Sequence, residues 1–460
     1  MKFDTIIRNG TIVTATDIFK GDIGIKDGKI NKLGMALEEE GEKIIDAKGK
    51  YIFPGGIDPH THLDMPFGGT FSSDNFETGT IAAACGGTTT IVDFAVQPKD
   101  KDLKETAEIW RGKSDGKAVI DYGIHMNITH IDDEILNEIP FMIKEGYPSF
   151  KVFMTYKGMR VDDGTLFKTL KKVSENGGLT CVHAENFHII ECNVERLLKE
   201  GKTAPKYHAI SRGSLVEGEA VGRAINIAKM AESPLYIVHN TCKEAVFEIA
   251  RAREEEYPIM GETCTQYLLL SEDEYYKEGF EGAKCVMSPP LRSKYNFKYL
   301  WKAIRNNTLQ VVATDHCPFF MKQKELGKDS FDKIPNGAPG IELRMALLYT
   351  YGVLKNEINI NKFVEVTSTN AAKIYGMYPK KGTIVVGSDA DLVIFDPDKE
   401  IEVTVDILHE NVDYTPYEGF KLKGFPEVTL SRGEIIAKNG KFVGEIGRGE
   451  FIKRNSPMIL

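Results

Sequence analysis

The feature that most constrains the fold is a series of eight short apolar segments, most of them followed by a stretch rich in Ala, Glu, Lys and Leu. This alternation predicts strand-then-helix units, and eight such units favour a (β/α)8 barrel. The predicted strands span residues 51–57, 88–96, 121–129, 149–156, 179–184, 234–240, 257–262 and 310–315. The predicted helices include residues 103–113, 133–145, 165–176, 217–232 and 243–256. An α/β chain with a barrel core is the expected fold.

The two ends of the chain have a different pattern. Short alternating runs there are separated by Asn9-Gly10, Asp27-Gly28, Lys48-Gly49 and Asn439-Gly440. Such pairs are typical of tight turns between antiparallel strands. We therefore predict a small β-sandwich built from residues 1–52 and 377–460, with a TIM-barrel catalytic domain at residues 53–376 between them. Residues 447–460 fit either a mobile tail or an arm onto a neighbouring subunit.

Composition excludes several classes of partner. The 460 residues carry a net charge of -9, which argues against binding to nucleic acid or to an anionic membrane. No apolar run is long enough to span a membrane, and the N-terminus lacks the apolar core of a signal peptide, so we expect a cytoplasmic protein. The 7 cysteines include no Cys-x-x-Cys pair, and we expect them to be small buried apolar residues, without disulfides.

Potential metal ligands lie at the predicted carboxyl ends of the strands, where barrel enzymes carry their chemistry. Because side chains alternate along a strand, His60 and His62 point the same way after the first strand. Four of the 10 histidines occupy such strand ends. The full set is His60 and His62 on the first strand, Lys151 on the fourth, His183 on the fifth, His239 on the sixth and Asp315 on the eighth. This pattern predicts a metal centre.

Lys151 is the unusual member of this set. It lies within Ser149–Met154, where both faces of a barrel strand are dry and an unpaired ammonium would be costly. One interpretation is that the side chain extends along the barrel until its charge reaches water. The other is carbamylation, because a neutral amine that adds carbon dioxide becomes an anionic ligand able to bridge two metal ions.

A two-metal site of this kind suits the hydrolysis of an unactivated amide, since it holds a bridging hydroxide at neutral pH and polarises the carbonyl. Asp315 is the candidate to take the proton of the hydroxide and pass it to the leaving nitrogen. Tyr156, at the end of the fourth predicted strand, is a candidate donor to the developing oxyanion. The alternative for Tyr156 is a tyrosine packed at the barrel rim.

With these residues assembled, the chain resembles the cyclic amidohydrolases, and most closely the D-hydantoinase and dihydropyrimidinase group. The resemblance extends over almost the whole chain, from Ile7 to Gly444. Its most specific motifs are His60–Phe67, Ser149–Met154, His183–Asn186, Met287–Arg292, Asp315–Phe319 and Asn336–Gly340. The resemblance implies the same barrel with a flanking β-sandwich formed by both termini, and a homotetramer or, less often, a dimer.

The resemblance also implies roles for individual residues. His60, His62 and Asp315 would bind the more buried of two divalent metal ions, usually zinc, with manganese or cobalt as substitutes. His183 and His239 would bind the second ion, and Lys151, as N6-carboxylysine, would bridge the two. Tyr156 would polarise the substrate carbonyl, and the backbone at Ser288 and Asn336 would hydrogen-bond the ring amide.

Substrate choice is argued from the residues around the predicted site. Relatives similar to dihydroorotase carry an arginine after the His-x-His pair that grips a carboxylate, whereas this chain has Leu63. The expected gate around the ring substituent is apolar and comprises Leu63, Met65, Phe67, Phe153 and Met159. We therefore expect opening of a 5,6-dihydropyrimidine or a 5-monosubstituted hydantoin to the N-carbamoyl amino acid. The alternatives are an allantoinase, and a non-catalytic scaffold similar to the collapsin response mediators.

Overall fold

Eight parallel strands form the central sheet of the computed structural model, which describes residues 2–460. They are Gly56–Thr61, Thr88–Val96, Asp121–Asn127, Ser149–Phe153, Leu179–His183, Leu235–Ile237, Ile259–Cys264 and Val311–Ala313. Each strand pairs with the next one along the chain. A parallel bridge between Thr61 and His316 joins the first strand to the segment after the eighth, where the His62 N–H donates to the His316 carbonyl at 2.9 Å. The predicted (β/α)8 barrel is confirmed.

Helices surround this barrel, and several begin at a side chain that satisfies their free N–H groups. Asp102 accepts from the N–H of Glu105, and Asp162 accepts from that of Thr165. The helices are Phe76–Cys85, Leu103–Ser114, Asp133–Lys144, Asp163–Glu175, Phe187–Lys199, Lys206–Ser211, Ser214–Met230, Lys243–Glu254, Thr265–Leu269, Phe297–Arg305, Met321–Lys324, Arg344–Leu348, Ile360–Val364 and Asn370–Ile374. Within residues 2–460, no helix combines the length and apolar character that crossing a membrane requires.

A second sheet is built from both ends of the chain. Its nine strands are Phe3–Val13, Ile18–Lys26, Lys29–Gly34, Gly41–Asp46, Tyr51–Pro54, Leu392–Glu402, Lys421–Ser431, Glu434–Lys438 and Lys441–Phe442. Tyr51–Pro54 lies between Phe3–Val13 and Leu392–Glu402, and so joins the strands from the two ends. The small β domain formed by both termini is therefore confirmed.

The structure corrects two details of the sequence prediction. The predicted first barrel strand, residues 51–57, is split: Tyr51–Pro54 belongs to the small sheet, and the barrel strand begins at Gly56. Its residues are apolar in either setting, so the pattern did not distinguish them. Asn9-Gly10 is not a turn but an irregularity inside Phe3–Val13, where the pairing register shifts and Asn9 has a φ of 62°.

The last residues of the chain pack against the end of the barrel where the strands begin. The N–H of Gly449 donates to the Ala118 carbonyl and that of Ile452 to Tyr122, both at 2.8 Å. The Arg454 side chain is buried and donates to the carbonyl of Ile124, inside the third barrel strand. This segment therefore covers the face of the barrel opposite the predicted metal ligands.

A buried cluster of charges joins the barrel to the small sheet. The Lys381 ammonium lies 2.7 Å from an Asp121 oxygen, 2.6 Å from Asp391 and 3.0 Å from Asp389. Asp121 opens the third barrel strand, and Asp391 immediately precedes a strand of the small sheet. Burial opposes the charge on Lys381, but the three carboxylates outweigh it and raise its pKa. The cluster therefore connects the barrel and the small sheet through buried ion pairs.

Replacing Lys381 with Met should lower the free energy of unfolding by about 3–5 kcal/mol, because it leaves Asp391 without a counter-ion and removes the buried cation beside Asp121 and Asp389. Thermal and denaturant unfolding would measure the loss. Lys423→Met is the matched control, since Lys423 pairs with Asp398 at 3.3 Å on an exposed surface and surface pairs contribute about 0–1 kcal/mol. Equal stability of the two variants would contradict a structural role for the cluster.

Candidate active site

Closure of the barrel brings the first and eighth strands together at the predicted metal centre. His60 lies in the first strand, His62 follows that strand, and Asp315 lies two residues beyond the eighth. Nε2 of His60 and Nε2 of His62 lie 3.1 and 3.0 Å from Oδ1 of Asp315. The ligand atoms of this group all lie within 4.8 Å of one another. Two imidazoles and a carboxylate in this arrangement form a candidate metal-binding group.

The fourth, fifth and sixth strands supply the rest of the predicted set. Nδ1 of His183 and Nε2 of His239 lie 2.9 Å apart, and the His60 and His239 ring centroids are 5.4 Å apart. Lys151 is 1% exposed, and its Nζ lies 4.6 Å from the centre of the Phe94 ring. Burial lowers the pKa of Lys151 to about 8. The side chain does not reach water, so the extended conformation considered for Lys151 does not occur.

Carboxylates behind two of the histidines determine which ring nitrogen is free. Nδ1 of His60 bonds to Glu262, whose other oxygen accepts from the Tyr236 hydroxyl at 3.0 Å. Nε2 of His183 bonds to Glu185 at 2.7 Å, and Glu185 also accepts from Arg212 at 2.7 Å. These pairs leave Nε2 of His60 and Nδ1 of His183 facing the centre of the site. A carboxylate behind a histidine is the usual arrangement around a bound metal ion.

The charges of the site favour a bound cation. Burial opposes protonation of His60, but Asp315 and Glu262 outweigh it and raise the pKa of His60 to about 9. Burial would raise the pKa of Asp315, but His60 and His62 hold it well below its usual range. Burial would likewise raise the pKa of Glu185, but Arg212 and His183 outweigh it and lower that pKa to about 2. Ionised carboxylates of Asp315 and Glu185 therefore lie around one buried centre, which is the charge pattern that a divalent ion would complete.

Three of the predicted site residues have a left-handed backbone. Tyr156, His239 and Asp315 have φ values of 69°, 38° and 53°. Such conformations are uncommon for residues other than glycine and persist where the surrounding structure enforces them. Each of the three follows the end of a strand, where this turn directs the side chain back over the barrel. The fourth strand ends at Phe153, so Tyr156 lies in the turn after it.

A cavity opens over these residues and contains most of the predicted gate. Its lining comprises His60, His62, Met65, Phe67, Lys151, Phe153, Tyr156, Met159, His183, His239, Met287, Ser288, Asp315, Cys317, Asn336 and Gly337. Leu63 is absent from this lining, which corrects its assignment to the gate. It is fully buried in the hydrophobic core against Gly79 of the Phe76–Cys85 helix, because its side chain points away from that of His62.

The sequence analysis missed the residues that hold the histidines. Glu185 stands in the His183–Asn186 motif, and Glu262 is an acidic residue at the end of an otherwise apolar strand prediction. Two signals were available in the sequence. Glu185 is an acidic residue two positions after the predicted ligand His183, and Glu262 is an acidic residue within a predicted barrel strand. Arg212 lies in the chain after a helix and gave none.

A family model, named relatives and solved structures all match this chain over most of its length. Residues 51–436 match the model of the amidohydrolase family, and residues 1–48 match the N-terminal domain of the urease alpha-subunit. The chain is 52% identical to D-hydantoinase of Geobacillus stearothermophilus, over 98% of the chain and 96% of the relative. It is 46% identical to D-hydantoinase of Streptomyces coelicolor, over 99% and 98%. The crystal structure of dihydropyrimidinase from Brevibacillus agri superimposes with a TM-score of 0.98, at 50% identity and 99% coverage of both chains.

The barrel, its candidate ligand set and the extent of the family match define the class: the chain belongs to the amidohydrolase family. Identities of 46–52% over nearly the whole chain place it, within that family, in the D-hydantoinase and dihydropyrimidinase group. The resemblance stated from the sequence motifs is thus confirmed.

Replacing Glu262 with Gln should weaken the binding of a divalent metal ion by about 10–100-fold, because an amide holds the His60 ring less firmly and makes it a poorer ligand. Competition against a chromogenic zinc chelator would measure the affinity. Glu219→Gln, on an exposed helix face, is the control and should bind metal as the unmodified protein does. Unchanged affinity in the Glu262 variant would exclude this supporting role.

Proposed function

We propose that the protein hydrolyses the ring amide of 5-monosubstituted hydantoins or 5,6-dihydropyrimidines and releases the N-carbamoyl amino acid. The observation that carries the proposal is the carboxylate-backed ligand cluster beneath an apolar cavity: Glu262 and Glu185 each hold one histidine with its other nitrogen facing Asp315 or His239. Relatives named D-hydantoinase, which share this chain's length, support the choice of substrate.

The residues fit two divalent metal ions. We assign His60, His62 and Asp315 to the first and His183 and His239 to the second, on the basis of the two groups of close nitrogen and oxygen atoms. Zinc is the expected ion, since imidazole and carboxylate are its ordinary ligands, and manganese or cobalt would suit the same set. Such a pair of ions supplies a water that is easily deprotonated and a Lewis acid for the carbonyl.

Lys151 is proposed to join the two groups as a carbamate. Burial lowers its pKa to about 8, so the neutral fraction near neutral pH is larger than that of an exposed lysine, and only the neutral amine adds carbon dioxide. In that reaction the amine nitrogen forms a bond to carbon and loses a proton, leaving an anion with two oxygens. The buried cation over Phe94 thereby becomes an anionic ligand beside His239 and Asp315.

The remaining residues are assigned by position. Asp315 has an oxygen at the centre of the site and is the group that accepts the proton of the attacking water and later passes it to the leaving nitrogen. Tyr156 lines the same cavity with its hydroxyl still protonated, because burial raises its pKa, so it can donate to the developing oxyanion. Backbone groups of Ser288 and Asn336, which line the same cavity, are proposed to hold the ring amide.

The cavity favours a neutral ring with an apolar substituent. Met65, Phe67, Phe153 and Met159 line it and bring no charge to the ring. An allantoinase would have to accommodate a polar ureido group against these side chains, so that alternative is not favoured. We further propose that the protein is cytoplasmic and assembles as a homotetramer.

Hydrolysis rates of the zinc-loaded protein on dihydrouracil, a 5-aryl hydantoin, allantoin and dihydroorotate, compared side by side, test this function. We expect the hydantoin and dihydrouracil to be opened at least about tenfold faster than the other two, since the apolar wall disfavours polar substituents. Exclusive activity on allantoin or dihydroorotate would refute the substrate assignment, and a metal-loaded protein inactive on all four would refute the proposed function.

Replacing Lys151 with Arg should remove most of the bound metal and most of the activity, because a guanidinium cannot form a carbamate and adds an unpaired charge to the site. Metal content by mass spectrometry and turnover of the hydantoin are the two measurements. Lys168→Arg, on an exposed helix position, controls for the substitution itself. Two metal ions and near-normal turnover in the Lys151 variant would rule out the carbamate.

Replacing Tyr156 with Phe should lower kcat by about 10²–10³-fold with the metal content unchanged, the loss seen when one oxyanion donor is removed. Steady-state kinetics on the preferred hydantoin would show it. Tyr276→Phe, which changes an exposed tyrosine, should leave kcat unaltered. A change in KM alone would assign Tyr156 to substrate binding instead.

A further inference from the structure

Lys324 is a buried lysine whose ammonium group hydrogen-bonds to carbonyl groups only and lies 5.6 Å from the centre of the Phe319 ring. It ends the short helix Met321–Lys324 and is 0% exposed. Its Nζ donates to the carbonyls of Val286, Pro335 and Gly337 at 2.9, 2.7 and 2.6 Å. Each of the three ammonium N–H groups therefore has one acceptor. Burial lowers the pKa of Lys324 to about 7, so keeping a charge here carries a cost that an apolar residue would avoid.

The three carbonyls belong to the two segments that form one wall of the cavity. Val286 comes just before Met287 and Ser288, and Pro335 and Gly337 flank Asn336; the cavity is lined by Met287, Ser288, Asn336 and Gly337. A further hydrogen bond, from the Gly337 N–H to the Val286 carbonyl at 2.9 Å, joins the segments directly. Lys324 itself lies behind this wall. One ammonium thus ties together two backbone segments that are distant in the sequence.

The hydrogen bond to Pro335 also sets the direction of the next N–H group. The peptide bond between Pro335 and Asn336 is trans, so its N–H points opposite to its carbonyl. Since the carbonyl points at Lys324, the N–H of Asn336 points away from it, on the side where Asn336 lines the cavity. Among the hydrogen bonds of residues 2–460, this N–H has no acceptor. It is therefore available to a ligand.

We propose that Lys324 is a positioning residue, which holds the segments Val286–Ser288 and Pro335–Gly337 so that their backbone groups are aligned with the ring amide of the substrate. This inference rests on the proposed function, because it takes the ring amide as the partner of Asn336 and Ser288. An ammonium suits the role because it is compact and offers three N–H groups in different directions, whereas a guanidinium is planar.

The test is the substitution Lys324→Met, which keeps most of the side-chain length and removes the three donors. We expect KM for the preferred hydantoin to rise about tenfold or more, with the zinc content of the wild type, because the wall loses its alignment while the metal ligands stay in place. Two further substitutions serve as controls. Lys322→Met alters an exposed lysine two residues away. Lys381→Met removes a buried lysine at the other end of the barrel and is expected to destabilise the protein.

These controls separate positioning from stability. A purely structural role would lower the melting temperature of the Lys324 variant and leave its KM unchanged, as expected for Lys381→Met, and that result would overturn the proposal. Lys324→Arg keeps the charge and several donors, and we expect its KM to lie between those of the wild type and the Met variant. If neither Lys324 variant yields folded protein, Lys324 is a stability residue and the proposal fails.

The wild type is measured first, so that the two proposals can be told apart. A wild-type protein that opens the hydantoin, together with a Lys324→Met variant of unchanged KM, overturns only the role of Lys324. A metal-loaded wild type that opens no cyclic amide overturns the proposed function, and the role of Lys324 with it.

Discussion

Closure of the barrel between its first and last strands is the constraint on which the site depends. The His62 N–H donates to the His316 carbonyl, and this bond lies between the two histidines of the first strand and Asp315. Without this contact the three side chains would belong to opposite edges of an open sheet. With it, ring nitrogens and a carboxylate lie 3.0–3.1 Å apart. The same backbone pairing that completes the fold therefore assembles the candidate metal group.

Around that closure, a series of hydrogen bonds and ion pairs between buried side chains extends away from the site. His183 is held by Glu185, Glu185 by Arg212, and the carbonyl of Arg212 accepts from Arg292, which pairs with Glu217 at 2.7 Å. Each group in the chain is buried, so each depends on the next for a partner. The orientation of one imidazole is thus supported by residues from several barrel segments, which makes it rigid.

Much of this architecture could be predicted from the sequence, because the relevant signals are periodic and local. Strands such as 88–96 and helices such as 103–113 agree with the structure to within a residue or two. Five of the six predicted ligands lie at or just beyond the carboxyl ends of their strands, and Lys151 lies in the middle of Ser149–Phe153. Two assignments that rested on apolar character alone were wrong. Tyr51–Pro54 was predicted as part of the first barrel strand, and Leu63 was predicted to line the gate.

The residues that support the ligands and the cavity wall could not be predicted from the sequence, for a different reason. Whether Glu262 faces His60, or Lys324 meets three carbonyls, depends on contacts between segments far apart in the chain, and no periodicity records those contacts. A single acidic or basic residue in an apolar setting signals that a partner exists. It does not say which one, so the partner had to come from the folded structure.

The small sheet has a consequence for the order in which the molecule can assemble. Its strand Tyr51–Pro54 pairs with Leu392–Glu402, and Lys50 meets Asp396 across 346 residues of chain, whereas barrel strands pair with their neighbours in sequence. The strands before residue 50 can pair with one another early in synthesis, but one edge of Tyr51–Pro54 stays unpaired until the whole barrel has been made. Such non-local pairing slows folding and exposes edges to other chains. Folding of the barrel then brings the segments before and after it close enough to complete the small sheet.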